Sequence, residues 1–242
     1  MKMNEVIDRL LARVPRDVEW CKGEQYGAYN VVGNPEVTKV LYCVTPTPAV
    51  RTYMLRHGYQ LLISHHPYLA GCPQFIAHTA LDCGVGGLND LWRDALGVQQ
   101  AEHFDDTLGW SGAIAPVPFA ALVDQCRAFA GDVIGQRWTA PGTDGMIRSV
   151  VICTGLGGMV VGEAAATGAD CYILGENTKA PEDCGFKAVI EIGHTLSEWI
   201  GVRVFQELLG PLGIQVDGAP FAIDRFGNEI CGSKARSYAG VF

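Results

Sequence analysis

The chain has 242 residues, 48% hydrophobic and 18% charged, enough apolar material for a real core and too much for a disordered chain. Its formal net charge of −8 works against non-specific binding to nucleic acid or anionic membranes, which needs clustered Lys and Arg. No apolar run reaches the roughly 18 residues of a membrane span, so none is expected.

In chain order, "MKMNEVIDRLLARVPRD" sets Val6, Ile7, Leu10, Leu11 and Val14 on one helical face. Asn4 is placed to cap this helix and Pro15 to stop it. Charges interrupt it throughout, so it lacks the apolar centre of a signal peptide. The nine cysteines form no Cys-x-x-Cys pair, which argues against a zinc ribbon or a thioredoxin motif. An odd count without a secretory signal fits a reducing cytoplasm.

Residues 40–44 form an apolar run for a buried strand, 49–57 have helical spacing that Gly58 ends, and 59–64 form a second strand. This is a βαβ unit suited to a sheet covered on both faces. The same order returns later: a strand at 150–153, a helix at 160–167, and a strand in "GADCYIL". Each unit is followed by His-Thr-x-x-acid, "HTALD" at 78–82 and "HTLSE" at 194–198, and by an amphipathic helix. The chain therefore reads as a duplicated module, with a first module at 1–107 and a second at 108–242. Between the motif-bearing parts lie a short strand or loop, a helix over about 118–130 and a turn cluster in "TAPGTDG".

The strand "LLIS" ends in His65-His66-Pro67, where ligands of α/β sheets bind. On an extended chain adjacent histidines point to opposite sides, so His65 and His66 are expected to serve two different ions rather than chelate one. His194 and Glu198 are one helical turn apart and able to share an ion, as are His78 and Asp82. Imidazoles with carboxylates suit zinc, iron, nickel or manganese better than calcium or magnesium. Two histidines, a His/acid pair and a further acid can together supply a dinuclear centre. His57 and His103 have no such partners and read as ordinary surface residues. The glycine-rich "CTGLGGMVVGEA" puts Val160 where a dinucleotide motif needs its third glycine, and reads as a tight turn; its helix start could still receive an anionic group.

"LLISHHP", "IAHTALDCGVGGLND", "GADCYILGE" and "IEIGHTLSEW", in that order, resemble the Nif-three-like proteins, also labelled GTP cyclohydrolase I type 2 homologues. The resemblance runs from about residue 26 to 210. It implies an α/β fold of two intertwined three-layer α/β/α modules of similar topology with mixed sheets. It further implies two divalent metal ions per subunit between the modules and a ring-shaped homohexamer, a trimer of dimers. Carried over residue by residue, the ligands would be His65, His66, Asp82, His194 and Glu198, with Glu198 the candidate bridge and His78 beside the ligands or toward substrate. Three features depart from the family pattern: a short 67–77 segment, Gln25 and Tyr26 where an Asp is expected near the first glycine turn, and no histidine downstream of "LGE".

The leading expectation is a metal-dependent hydrolase, cyclohydrolase- or phosphoesterase-like, acting on a small molecule through an activated water. One alternative is a non-enzymatic metal-handling or assembly protein of the same fold. The other is a nucleotide-binding α/β domain using the 153–164 turn.

Overall fold

The structure is a computed structural model that describes residues 1–15, 23–104, 108–130 and 137–220, with the backbone of 222–223 and 229–230. Its contacts divide the chain into two units: residues 1–87 together with the chain from 199 onward, and residues 88–198.

The first unit opens with α1 (Met3–Arg13). Met3, Val6, Leu10 and Val14 are buried, whereas Leu11 is exposed. Asn4 is not the cap. The helix begins after Lys2, whose amide donates to the Glu5 carboxylate at 2.8 Å, and the Asn4 amide donates instead to Asn34 Oδ1 at 3.0 Å. Glu5 at the third helical position satisfies an amide that Asn4 cannot reach from inside the turn. Strands β1 (Gly27–Tyr29) and β2 (Lys39–Cys43) follow.

Helix α2 (Pro48–Arg56) starts where the sequence places it. Thr47 Oγ1 accepts from the Val50 amide at 3.2 Å, and Pro48 sits in the first turn, where no amide is needed. Strand β3 (Leu61–Ser64) is buried at every position. Covering Leu61, Leu62 and Ile63 stabilises the fold by about 1.5–3 kcal/mol per side chain relative to exposure. Strand β4 (Gln74–Ile76) leads into the short helix α3 (Thr79–Cys83).

The second unit begins with α4 (Leu88–Ala95), whose Trp92 stacks edge-on against Phe129. The hairpin β5 (Gln99–Phe104) and β6 (Gly109–Pro118) precedes α5 (Phe119–Ala130) and β7 (Arg137–Thr139). Strand β8 (Met146–Cys153), a 3₁₀ turn over Gly157–Val160, α6 (Val161–Ala166) and β9 (Cys171–Leu174) make the second βαβ unit. Tyr172, fully buried, stacks on Phe186 with centroids 5.1 Å apart and donates its hydroxyl to the Gly157 carbonyl at 2.8 Å. Strand β10 (Ala188–Glu191) and α7 (His194–Trp199) close the unit.

The chain then returns to the first unit through α8 (Gly201–Leu209) and β11 (Gln215–Gly218). A last pair of two-residue strands, β12 (Ala222–Ile223) and β13 (Glu229–Ile230), forms an antiparallel ribbon.

Both sheets are mixed. The first runs β1-β4-β3-β2-β11 and the second β5-β6-β8-β9-β10-β7. Each centres on three adjacent parallel strands, β2-β3-β4 and β8-β9-β10, with an antiparallel strand, β1 or β7, outside the third. The duplication read from the sequence is thus present as repeated topology. Cys43, Cys72, Cys126, Cys171 and Cys184 are buried thiols; Cys21 and Cys231 lie outside the described residues. No described helix is long and apolar enough to cross a membrane.

Candidate metal centre

In the first unit, β3 ends at Ser64 and the chain bends at once, so His65 and His66 are not on extended backbone. The strand alternation expected to separate them does not apply. Their rings lie 5.5 Å apart, and ligand atoms of His65, His66 and His78 all lie within 4.8 Å of one another. The first part of the expectation, two histidines facing opposite sides, is therefore corrected by the bend.

Oxygen partners orient each ring. His65 Nδ1 donates to the Ala77 carbonyl at 3.1 Å, His66 Nδ1 lies 2.8 Å from Thr45 Oγ1, and His78 Nδ1 lies 2.9 Å from Glu24 Oε1. His65 Nε2 is 3.4 Å from Asp82 Oδ2. Glu24 is the carboxylate the sequence reading missed beside the vacant Asp position. It also accepts from the Thr79 hydroxyl at 2.8 Å. Burial works to raise its pKa, but the bonds from His78 and Thr79 outweigh that and hold it below the ordinary carboxylate range.

In the second unit, α7 begins at His194 and puts Glu198 one turn on, with His194 Nε2 3.1 Å from Glu198 Oε1. His194 Nδ1 lies 3.0 Å from Glu176 Oε2. Burial opposes protonation of His194; Glu198 and Glu176 more than offset it and lift its pKa to about 9. A cation taken up between these groups would have to replace that proton.

Ser197 secures the turn. Its hydroxyl donates to the His194 carbonyl at 2.8 Å and accepts from the Gly155 amide at 3.0 Å.

The glycine-rich turn is shaped by these side chains. A Cβ at Gly155, whose φ is +61°, would stand 2.4 Å from Glu198 Oε1; one at Gly157 would meet Tyr172, and one at Gly158 would meet Thr178. These glycines make room for the chain's own residues. His57 and His103 lie apart from the motifs: His57 stacks on Tyr53 and His103 on Trp110.

Imidazole nitrogens with carboxylate oxygens, each histidine anchored through its other nitrogen, are the donor set that zinc, iron, manganese or nickel takes. The residues of both units fit a metal on that ground.

A twice-built α/β module with histidine–carboxylate clusters after its strand ends defines a class of candidate metal-binding proteins. The chain belongs to the Duf34/NIF3 (NGG1p interacting factor 3) family, whose model matches residues 1–76 and 70–217. A "GTP cyclohydrolase 1 type 2 homolog" from Lactococcus lactis subsp. lactis (strain IL1403) is 28% identical over 154 residues; the match takes in 52% of this chain and spans 60% of that relative's length. Among solved structures, reduced HcgD from Methanocaldococcus jannaschii superposes with a TM-score of 0.77 at 20% identity, covering 90% of this chain and 98% of that one. A Bacillus cereus protein related to NIF3 gives 0.75 at 15% identity, covering 93% and 98%. At these identities the two structures bear on the fold alone, and they bear out its duplicated α/β design.

Proposed function

We propose that this protein holds two divalent cations through His65, His66, Asp82, His194 and Glu198 and serves as a metal-dependent hydrolase of a small molecule. One observation carries the reading. His194 has its Nε2 3.1 Å from the buried Glu198 and its Nδ1 3.0 Å from Glu176, the outer anchoring that orients a histidine as a metal ligand. Such cations would supply Lewis acidity, lowering the pKa of a water and orienting it for attack. The chain's own residues contribute position and charge. Glu198, buried and clamped between His194 and the Gly155 turn, brings a carboxylate charge suited to offset repulsion between two cations. Glu24 and Glu176 hold their histidines in one tautomer.

The name of the Lactococcus lactis relative makes opening of a purine ring the first reaction to assay. The reading includes a homohexamer, a trimer of dimers, in a reducing cytoplasm, which the odd cysteine count fits.

Elemental analysis of untagged protein purified without chelators is the first test, followed by substrate profiling with added Mn²⁺, Fe²⁺ or Zn²⁺. The expected result is two ions per chain and turnover that metal removal abolishes. Binding of no metal would end the reading. Two ions without any metal-dependent turnover would move the protein to a metal-handling role. Light scattering that gives a clean monomer would remove the hexamer.

A further inference from the structure

We propose that Asn89 and Trp92, two buried residues of α4, are positioning residues that hold His194 and Glu198 in place against the Gly155 turn. This rests on the metal reading above, and it concerns side chains that bind no metal themselves.

The two stand three positions apart on α4, so they share one face of the helix, and both are buried. Asn89 Oδ1 accepts from the Thr154 amide at 2.9 Å, and its Nδ2 donates to the Leu108 carbonyl at 2.7 Å. A carboxamide supplies both roles at once, which an ionised carboxylate or an aliphatic side chain does not. Thr154 is the first residue past β8, so Asn89 fixes the point where the chain turns into Gly155. Trp92 Nε1 donates to the Ser197 carbonyl at 3.1 Å. That carbonyl lies in the last turn of α7, where a helix has no partner of its own to offer.

One helix face thus grips the glycine turn at one point and α7 at another. Between the two grips run the bonds of the cluster itself, from the Gly155 amide to Ser197 Oγ at 3.0 Å and from Ser197 Oγ to the His194 carbonyl at 2.8 Å. There is little room for the turn to slide over α7. A Cβ at Gly155 would stand 2.4 Å from Glu198 Oε1 and 3.6 Å from His194 Nε2. Asp90, on the same helix, serves other neighbours: its carboxylate accepts from Trp110 Nε1 at 2.6 Å and from Arg93 at 2.9 Å. It is the control for a bond that matters to the fold alone.

The test uses the full chain with Co²⁺ alone as probe. It reads the visible spectrum of bound cobalt, the affinity by competition with a chelating dye, and the denaturant midpoint. Trp92→Phe keeps a ring to pack on Phe129 and loses the donor, whereas Asn89→Ala loses both of its bonds. Each is expected to alter the cobalt spectrum and to weaken binding by about tenfold, the lower end for groups that orient a ligand from behind. Asp90→Asn is expected to lower the midpoint and to keep the parent spectrum and affinity. Parent spectrum and affinity in Trp92→Phe and in Asn89→Ala, whatever their midpoints, would overturn the proposal and leave the metal reading standing. An equal change in Asp90→Asn would also overturn it, by showing that any loosening of α4 reaches the cluster. A parent that takes up no cobalt would overturn both. Should Asn89→Ala lose its folded circular dichroism spectrum, Trp92→Phe decides.

Discussion

The two units put one scaffold to different use. At the end of β3 the His65 amide donates to the Cys43 carbonyl at 3.0 Å, and at the end of β9 the Gly175 amide donates to the Cys153 carbonyl at 3.1 Å. The backbone is alike, but the next side chains are not. The first unit offers His65 and His66 there; the second offers Gly175 and Glu176. Consequently the first unit borrows the glutamate for its motif histidine from a distant loop, Glu24, whereas the second takes Glu176 from the strand end itself. Duplication preserved the place of the chemistry and let the donors change. The first unit became rich in histidine, and the second became rich in carboxylate.

Breaking the carboxylate-rich half should have the largest effect. Glu198→Gln keeps size while losing charge, and should cost at least one of the two bound metals per chain with the fold retained. Metal stoichiometry beside circular dichroism checks this, and full stoichiometry would make Glu198 an ordinary buried acid.

Glu176→Gln tests whether the two glutamates are equivalent. It should weaken metal binding by about 10–100-fold, matching Glu24→Gln; a fall in only one of the pair would break the parallel.

Gly175→Ala sharpens the contrast with His65. A Cβ at Gly175 would stand 2.3 Å from the Gly155 carbonyl and 2.5 Å from Ser197 Oγ, so destabilisation of about 1–3 kcal/mol is expected in denaturant unfolding. At His65 a full imidazole is accommodated. An unchanged midpoint in Gly175→Ala would show that the two strand ends have equal room.

The smallest effect lies away from the metal. Burial works to raise the Asp170 pKa, but Lys187 at 2.6 Å and the Arg148 amide at 2.8 Å outweigh it and hold it low. A carboxyl lowered on folding stabilises above its ordinary value of about 3.9 and loses that contribution as pH falls through the lowered one. Asp170→Asn should therefore lose stability near neutral pH, and its deficit should shrink below about pH 4. A deficit constant with pH would remove the ion pair from the account.

Much of this was legible in the sequence. The apolar runs at 40–44, 61–64, 150–153 and 171–174 announce parallel strands because a doubly covered strand has no polar face to interrupt it. The two His-Thr-x-x-acid motifs mark both strand ends. What escaped depends on other signals. Strand β6 hid behind Gly109, Gly112, Pro116 and Pro118; its register slips between Ala113 and Val117, where a proline cannot donate to the ladder. Glu24 lies 54 residues from His78, and no local spacing announces such a partner. The facing of His65 and His66 departs from strand alternation because that rule holds only while the strand continues, and β3 ends one residue earlier.

The order of the chain bears on how the molecule is made. Strand β2 has β11 as its neighbour, with Lys39 beside Gln215, so the first unit's sheet waits for nearly the whole chain to leave the ribosome. The second unit is one continuous stretch and has every strand of its sheet well before that. Pairing across so long a loop is slow to nucleate. The expected sequence is that the later-encoded unit becomes protected first and the N-terminal sheet last. Pulse-labelled hydrogen exchange during refolding would show this, and simultaneous protection of β2 and β9 would refute it. On that order, the sheet that carries His65 and His66 at the end of β3 is completed only when β11 arrives, so a nascent chain holds these side chains on an unfinished sheet.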